Sequence, residues 1–342
     1  MIKRFLFLAT TIVGLTLTPG MMLGAETFFE GKMIRLIVGT SPGGGYDIYA
    51  RTIARHMGNH IPGHPNIIVE NMPGAGMLIS ANYLYKVAKP DGLTIGHFGG
   101  GLFFNQVMGQ PGVEFDARKF EYIGAATKGD PVCVLAKTSG ITSIERWIAS
   151  KTPVKLGGVG PGLFTPDNCI RILKVALGLP IQLVSGYKGI TEVRLATESG
   201  ELAGTVGAWS GLKMSWRKVL ETGDVVVVLQ AVPKPIPDIP NVPLAINLAK
   251  TDEARQLIEV GIHSNSEIMW PFTLSPGTPK ERVEILRKAF QETLRDKEFL
   301  AEAAKAKLSL DPISGEEFEK TIARIFKLDS ATIAQFKEIL FK

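Results

Sequence analysis

"IRLIVGTSPGGGYDIYARTIARHM", residues 34–57, runs from an apolar β-branched stretch through a three-glycine turn into a segment of helical period. Tyr49, Ile53, Met57 and Ile61 recur at four-residue spacing on one face, so a helix is expected from about Tyr46 to His60. Strand, glycine turn and helix in that order form the opening unit of an α/β layer. The pattern then repeats. "NIIVE" (66–70), "LTIGH" (93–97), "PVCVLA" (131–136), "VKLGGV" (154–159), "IQLV" (181–184), "LAGTV" (202–206) and "VVVVLQA" (225–231) read as strands by length and β-branched content, with helical segments between them. Alternation of this kind indicates α/β layers with mostly parallel sheets.

Two stretches read as boundaries. "YIGAATKGDP" (122–131) joins one α/β block to the next, and "VPKPIPDIPNVP" (232–243) is too proline-rich for regular helix and reads as an extended connection. Beyond it the pattern turns helical. In "TPKERVEILRKAFQETLRD", Val283, Leu286, Phe290 and Leu294 face one way and Pro279 suits the first turn. A helical tail with few strands is expected to pack back on the first block. The expected organisation is a leader at 1–25, a first lobe of 26–126 with 235–342, and a second lobe of 127–234.

The 342 residues, 45% hydrophobic and 21% charged, are enough for about two domains. The net charge of +5 is spread without basic blocks or basic–aromatic interleaving, which argues against nucleic acid as a partner. Lys3 and Arg4 precede the apolar run "FLFLATTIVGLTLT", then Pro19, Gly20 and small residues ending at Ala25. That is the pattern of a secretory signal peptide, and the run is too short for a membrane span. Export permits a disulfide between Cys133 and Cys169, but Cys133 reads as a buried strand residue and Cys169 as a helical one, so packing is preferred.

A glycine turn entering a helix aims backbone N–H groups and the positive end of the helix dipole at one point, which favours an anion. The dinucleotide fingerprint and the phosphate loop are both absent from "SPGGGYD". The bland alternative is a tight turn with Asp47 early in the helix. "NMPGAGM" (71–77) and "HFGGGL" (97–102) repeat the device after two further strands. "VKLGGVGPGLFTPDN" (154–168) and "LVSGYKG" (183–189) supply it in the second block. Ligands of open parallel sheets sit outside the carboxyl ends of the strands, so these loops are expected to converge. No nucleophile elbow is present, neither cysteine has a neighbouring histidine, and no catalytic residue, cofactor or enzyme activity is expected. His56, His60 and His64 recur every four residues, but Pro62 ends the helix before His64 and no acidic partner is near in sequence, so no metal site is assigned.

With these residues on the page, the chain resembles the periplasmic solute receptors of tripartite tricarboxylate transporters, the Bug family. The resemblance is carried by the opening stretch, "IIVENMPGAG", "KPDGLTIG", "GVGPGLFTPDN", "SGYKG", "GELAGTVGAWSG", "IPDIPNVP" and "SPGTPKERVEILRKAF", in order along the chain. It implies a two-lobed type II periplasmic binding-protein fold, joined by crossing strands, that closes on a carboxylate without transforming it. It also implies a monomer in the periplasm that serves a large and a small integral membrane subunit driven by an ion gradient. The ligand positions it implies are Ser41, Gly43, Gly44, Gly45, Tyr46 and Asp47 in the first loop, and Gly160, Gly162, Leu163, Phe164 and Thr165 in the second. Gly74, Ala75, Gly76, Gly99 and Gly100 would line the first rim, Tyr187 and Lys188 the second. The chain departs from the family pattern at Tyr46, at Leu163-Phe164, and at Ala208-Trp209-Ser210. Aromatic bulk at Tyr46, Phe164 and Trp209 suggests a carboxylate with a ring or an apolar tail, unless all three are packing. Two other readings stay open: a secreted enzyme acting on a small anion, and a receptor that presents its ligand to a sensor protein.

Overall fold

The computed structural model describes residues 28–160, 164–187 and 189–341; the signal-peptide reading and the expected ligand positions Gly162, Leu163 and Lys188 lie outside them. Strand β1 (Met33–Val38) becomes fully buried toward its carboxyl end, as its unbroken apolar run requires of a strand covered on both faces. It delivers the chain through the glycine turn into α1 (Gly45–Met57). The expected apolar face of this helix is in the core, with Tyr49, Ile53, Met57 and Ile61 all 2% exposed or less.

β2 (Asn66–Asn71) leads through a second glycine turn to α2 (Leu78–Lys86), and β3 (Thr94–His97) through a third to α3 (Gly101–Val107). Strands β1, β2 and β3 run parallel. The boundary stretch at 122–131 begins with a strand, β4 (Glu121–Ala125), and the chain then crosses to a second sheet at β5 (Pro131–Ala136). That sheet is completed by β6 (Val154–Gly157), β7 (Ile181–Val184), β8 (Gly204–Ala208) and β9 (Val225–Gln230), in the order β7-β6-β8-β5-β9. Its connecting helices include α4 (Cys169–Leu177), α5 (Ile190–Glu198) and α6 (Trp209–Ser215).

After helix α7 (Asp252–Ile258) the chain returns to the first sheet as β10 (Pro271–Leu274). It continues through α8 (Lys280–Thr293), α9 (Lys297–Lys305), the short edge strand β11 (Ile313–Ser314), α10 (Gly315–Ile325) and α11 (Ser330–Phe341). The first sheet has the order β11-β4-β10-β3-β1-β2.

The architecture is the expected two-lobed α/β fold, with two differences. The sheets are mixed: β10 is antiparallel to both neighbours, and β5 is antiparallel to β8 and β9. The returning chain also stays on the second lobe longer than its prolines suggest. Gln230, fully buried, gives its amide to the carbonyls of Ile239 and Val242 and accepts from the Ile236 N–H. Asp238 is held by Lys213 and by the Trp209 indole. Helix α7 then packs on α4, and the last helix, α11, packs there as well, while its Phe336 meets Phe104 of α3 edge to face.

Candidate functional site

The carboxyl ends of β1, β2 and β3 place the first three glycine turns on one rim of the first lobe. The parallel strands β6, β7 and β8 do the same for the second lobe. The rims meet at the start of α3. A methyl group on Gly101 would lie 2.8 Å from Phe164 Cβ, so only glycine admits the second lobe this closely. One turn further on, Asn168 donates to the Asn105 side chain at 3.4 Å, with both residues buried.

The first loop is built to leave donors open. Helix α1 has no side-chain cap at Gly44. Among the described residues, the N–H groups of Gly44, Gly45, Tyr46 and Asp47 meet no protein acceptor. Ser41, Gly43 and Gly44 are exposed, and Trp270 backs Gly45 from below. Four orphan donors at the positive end of a 13-residue helix favour negative charge at this point of the rim.

Asp47 does not stand free in this site. Its carboxylate accepts from the Gly43 N–H (2.8 Å), the Asn71 amide (2.9 Å) and the Arg51 guanidinium (3.0 Å). Burial alone would raise its pKa, but these partners together hold it below the usual range. Asp47 therefore braces the loop, and Arg51 cancels the charge that would otherwise repel an anion from the helix end.

The Tyr46 ring points into the core rather than the cleft. It stacks on Trp270 at 4.1 Å and gives its hydroxyl to the Met269 carbonyl at 2.8 Å, and burial raises its pKa. What Tyr46 leaves at the rim is its N–H. Phe164 is 5% exposed against Gly101, and Trp209 is 8% exposed with its indole N–H donated to Asp238. All three aromatic residues that suggested a ring-bearing ligand are packing residues, so that suggestion loses its footing.

The remaining rim positions divide. Gly74, Ala75, Gly76 and Met77 are consecutive left-handed residues, strained at Ala75 and Met77, that carry the second turn over the rim. The N–H groups of the third turn are spent: Gly99 donates to the Met77 thioether (2.9 Å) and Gly100 to the Met269 carbonyl (3.2 Å). A side chain on Gly100 would strike the Ile268 carbonyl at 1.5 Å, so this turn is a packing junction. In the second lobe, Tyr187 gives its hydroxyl to Glu201 at 2.5 Å, and Thr165 precedes a cis peptide at Pro166.

The Gly160 N–H is taken by Asp167, a fully buried residue that the sequence reading passed over. Asp167 also accepts from the Val159 N–H (2.8 Å) and the Ser185 hydroxyl. A signal for it exists in the sequence: Asp followed four residues later by Arg occurs after both glycine loops, at 47 and 51 and at 167 and 171.

Other candidate features lie apart. Cys133 and Cys169 are free and fully buried, and burial raises both thiols. His56 and His60 do have acidic partners, Glu302 (2.7 Å) and Asp296 (3.5 Å), supplied by the distant helix α9 and its N-cap. No metal-binding group occurs among the described residues. A hollow of about 350 Å³ beside Arg35, Tyr83 and Asp91 lies at the opposite ends of β1 and β3, and there Arg35 is consumed by Glu70 and Tyr83.

Two lobes, two crossings and facing rims define a periplasmic binding-protein fold of the second type. The comparisons with known proteins agree. The chain is 25% identical over 331 residues, covering 95% of it and 93% of the relative, to a UPF0065 protein encoded in the gbd 5' region of Cupriavidus necator. It superposes on a TctC solute-binding protein from Polaromonas with a TM-score of 0.64 (20% identity, 91% and 98% of the two chains). It superposes likewise on two Rhodopseudomonas palustris proteins. One is MatC with bound malate (0.66; 18%; 90% and 99%), the other a protein with adipate (0.71; 18%; 90% and 97%). No family model matches the chain. The fold implied by the resemblance read from the sequence is thus met again in the structure, whose neighbours include a TctC solute-binding protein and the periplasmic binding protein BugD.

Proposed function

We propose that this chain is an exported receptor that holds a small carboxylate between its lobes and hands it to a tripartite membrane transporter, without chemistry on the ligand. The observation that carries the reading is the uncapped amino end of α1, with its unspent N–H groups on the rim that faces the second lobe. A carboxylate there accepts from Gly44, Gly45, Tyr46 and Asp47, with Ser41 and Gly43 beside it. Gly160 and Thr165, both partly exposed, stand on the opposite rim. The malate and adipate bound by the two R. palustris proteins are of the same ligand class.

Binding across the cleft favours whichever lobe arrangement makes both sets of contacts, so the ligand shifts an open–closed equilibrium, with the two crossings as hinges. The closed form is what large and small membrane subunits would recognise. A thermal-shift screen of the mature protein against aliphatic and aromatic carboxylates tests the reading, because a ligand that binds only the folded state raises Tm. At least one aliphatic carboxylate is expected to raise it. No shift in either class overturns the proposal.

A further inference from the structure

The two crossings between the lobes are fastened to each other. In the first, the stretch 126–130 between β4 and β5, the Gly129 N–H donates to the Ser266 carbonyl of the second at 2.7 Å. A methyl on Gly129 would lie 2.7 Å from the Met269 sulfur. One residue on, Asp130 is tied to the second lobe by the Ser210 N–H (2.9 Å) and hydroxyl (3.0 Å). The second crossing is helical. It leaves the second lobe as α7, runs through a single π-helical turn (Glu259–His263), and reaches the first lobe as a short helix (Ser264–Glu267) that packs on α10. A π turn adds a residue to a helical repeat and marks a point where a helix bends.

Beside the crossings, α3 of the first lobe faces the segment of the second lobe that runs into α4. Phe164, Asn168 and Ile172 follow there at four-residue spacing. Phe164 lies on Gly101, and Asn168 donates to Asn105. At the next step the fully buried ring of Phe336 enters from α11. It meets Phe104 of α3 at 5.2 Å, edge to face. A methyl on Gly261, in the π turn, would lie 2.4 Å from Phe336 Cε1 and 2.8 Å from Ile172 Cδ1. Glycine there makes the room in which this ring and Ile172 come together. Helix α11 is fixed from outside: Gln256 of α7 donates to the Thr332 hydroxyl at 3.3 Å, Gln335 donates to Glu253, and Thr332 donates to Asp329 at 2.7 Å.

We propose that Phe336 is the pivot of the interlobe joint, and that α11 is a third tie that sets the open–closed equilibrium from outside the cleft. One ring packs at the first lobe, the second lobe and the turn between them. A close-packed interior does not deform continuously, so a ring wedged at that point restricts the angles at which the lobes can sit. With less volume there, more angles are populated. Apparent affinity then falls with the fraction of molecules able to bind, a consequence that rests on the receptor reading above.

The test compares Phe336→Leu with Phe299→Leu in the mature protein. Phe299 is equally buried, in α9, where its ring meets His56 within the first lobe. Both variants remove the same atoms from the interior, so both should lower Tm. Small-angle scattering without ligand should give a larger radius of gyration for Phe336→Leu alone. Calorimetric titration with succinate, malate and adipate, well below Tm, should show Phe336→Leu binding roughly threefold weaker or more, and Phe299→Leu binding as the unaltered protein does. Gly261→Ala pushes on the same ring without removing it, so it should move both readouts, and it decides the matter should Phe336→Leu fail to fold. Variants at 336 and 261 that lower Tm but leave radius and affinity unchanged overturn the pivot and leave the receptor reading standing. If none of the three carboxylates binds the unaltered protein, the radius alone decides the pivot, and the thermal screen decides the receptor reading.

Discussion

The two glycine loops use one device in two electrostatic settings. In each, an Asp from the first turn after the loop reaches back and holds loop N–H groups: Asp47 holds Gly43, and Asp167 holds Val159 and Gly160. In each, an Arg follows four residues on. Arg51 closes on Asp47, while among the described residues the buried Arg171 Nε meets no partner and Asp167 has only neutral donors. The first brace is charge-balanced and open to solvent on the Arg51 side, with Arg51 42% exposed. The second is fully buried and, among the described residues, has no ion-pair partner. The first loop can therefore be pre-formed at little cost, whereas the second depends on every hydrogen bond it has.

That contrast can be broken by mutation. Asp167→Ala should cost the most, roughly 2–4 kcal/mol in denaturant unfolding, because three hydrogen bonds vanish inside the protein. Asp47→Ala should cost less, roughly 1–2 kcal/mol, since water reaches the exposed Gly43. A larger loss at Asp47 than at Asp167 would falsify the comparison. A double-mutant cycle of Asp47→Ala with Arg51→Ala should give a coupling of about 0.5–1 kcal/mol that fades with salt.

The smallest effect is in the pH profile. The Asp47 carboxyl titrates lower in the folded chain than in the unfolded one. Its stabilisation is thus present above the ordinary carboxylate pKa of about 4 and lost as pH falls below it. Asp130 has the opposite sign. Its folded value of about 6 lies above the unfolded one, so its contribution is full below about 4 and lost as pH rises through 6. Unfolding midpoints followed from pH 3 to 7 in Asp47→Asn and Asp130→Asn should lose these opposite limbs separately.

Much of this was legible in the sequence, because apolar runs and glycine turns are local signals. All eight strands read from the sequence are strands, and each glycine turn follows one. β4, β10 and β11 were missed for physical reasons. β4 ends in Gly-Ala rather than an apolar run and opens what reads as a linker, and β11 is only two residues long. β10, "PFTL", begins with proline and enters the middle of its sheet antiparallel, from a distant part of the chain.

At the site, the sequence identified the loops but not the direction of their side chains. Tyr46 looks like a ligand contact until Trp270 and Met269, more than two hundred residues away, are seen to occupy its ring and hydroxyl. Gly99 and Gly100 repeat the first glycine turn in sequence, but a methyl on Gly100 would strike the Ile268 carbonyl and one on Gly99 would crowd the Met77 sulfur.

Helix α11 has a practical consequence for anyone wishing to watch the lobes move. It leans on α4 of the second lobe while its Phe336 sits against Phe104 of the first, so this helix travels with the joint itself. A fluorophore fused there would report little of the swing. Ile79 on α2 and Ile148 in the second lobe, both about half exposed, offer outward-facing attachment points on opposite arms for a distance-based biosensor.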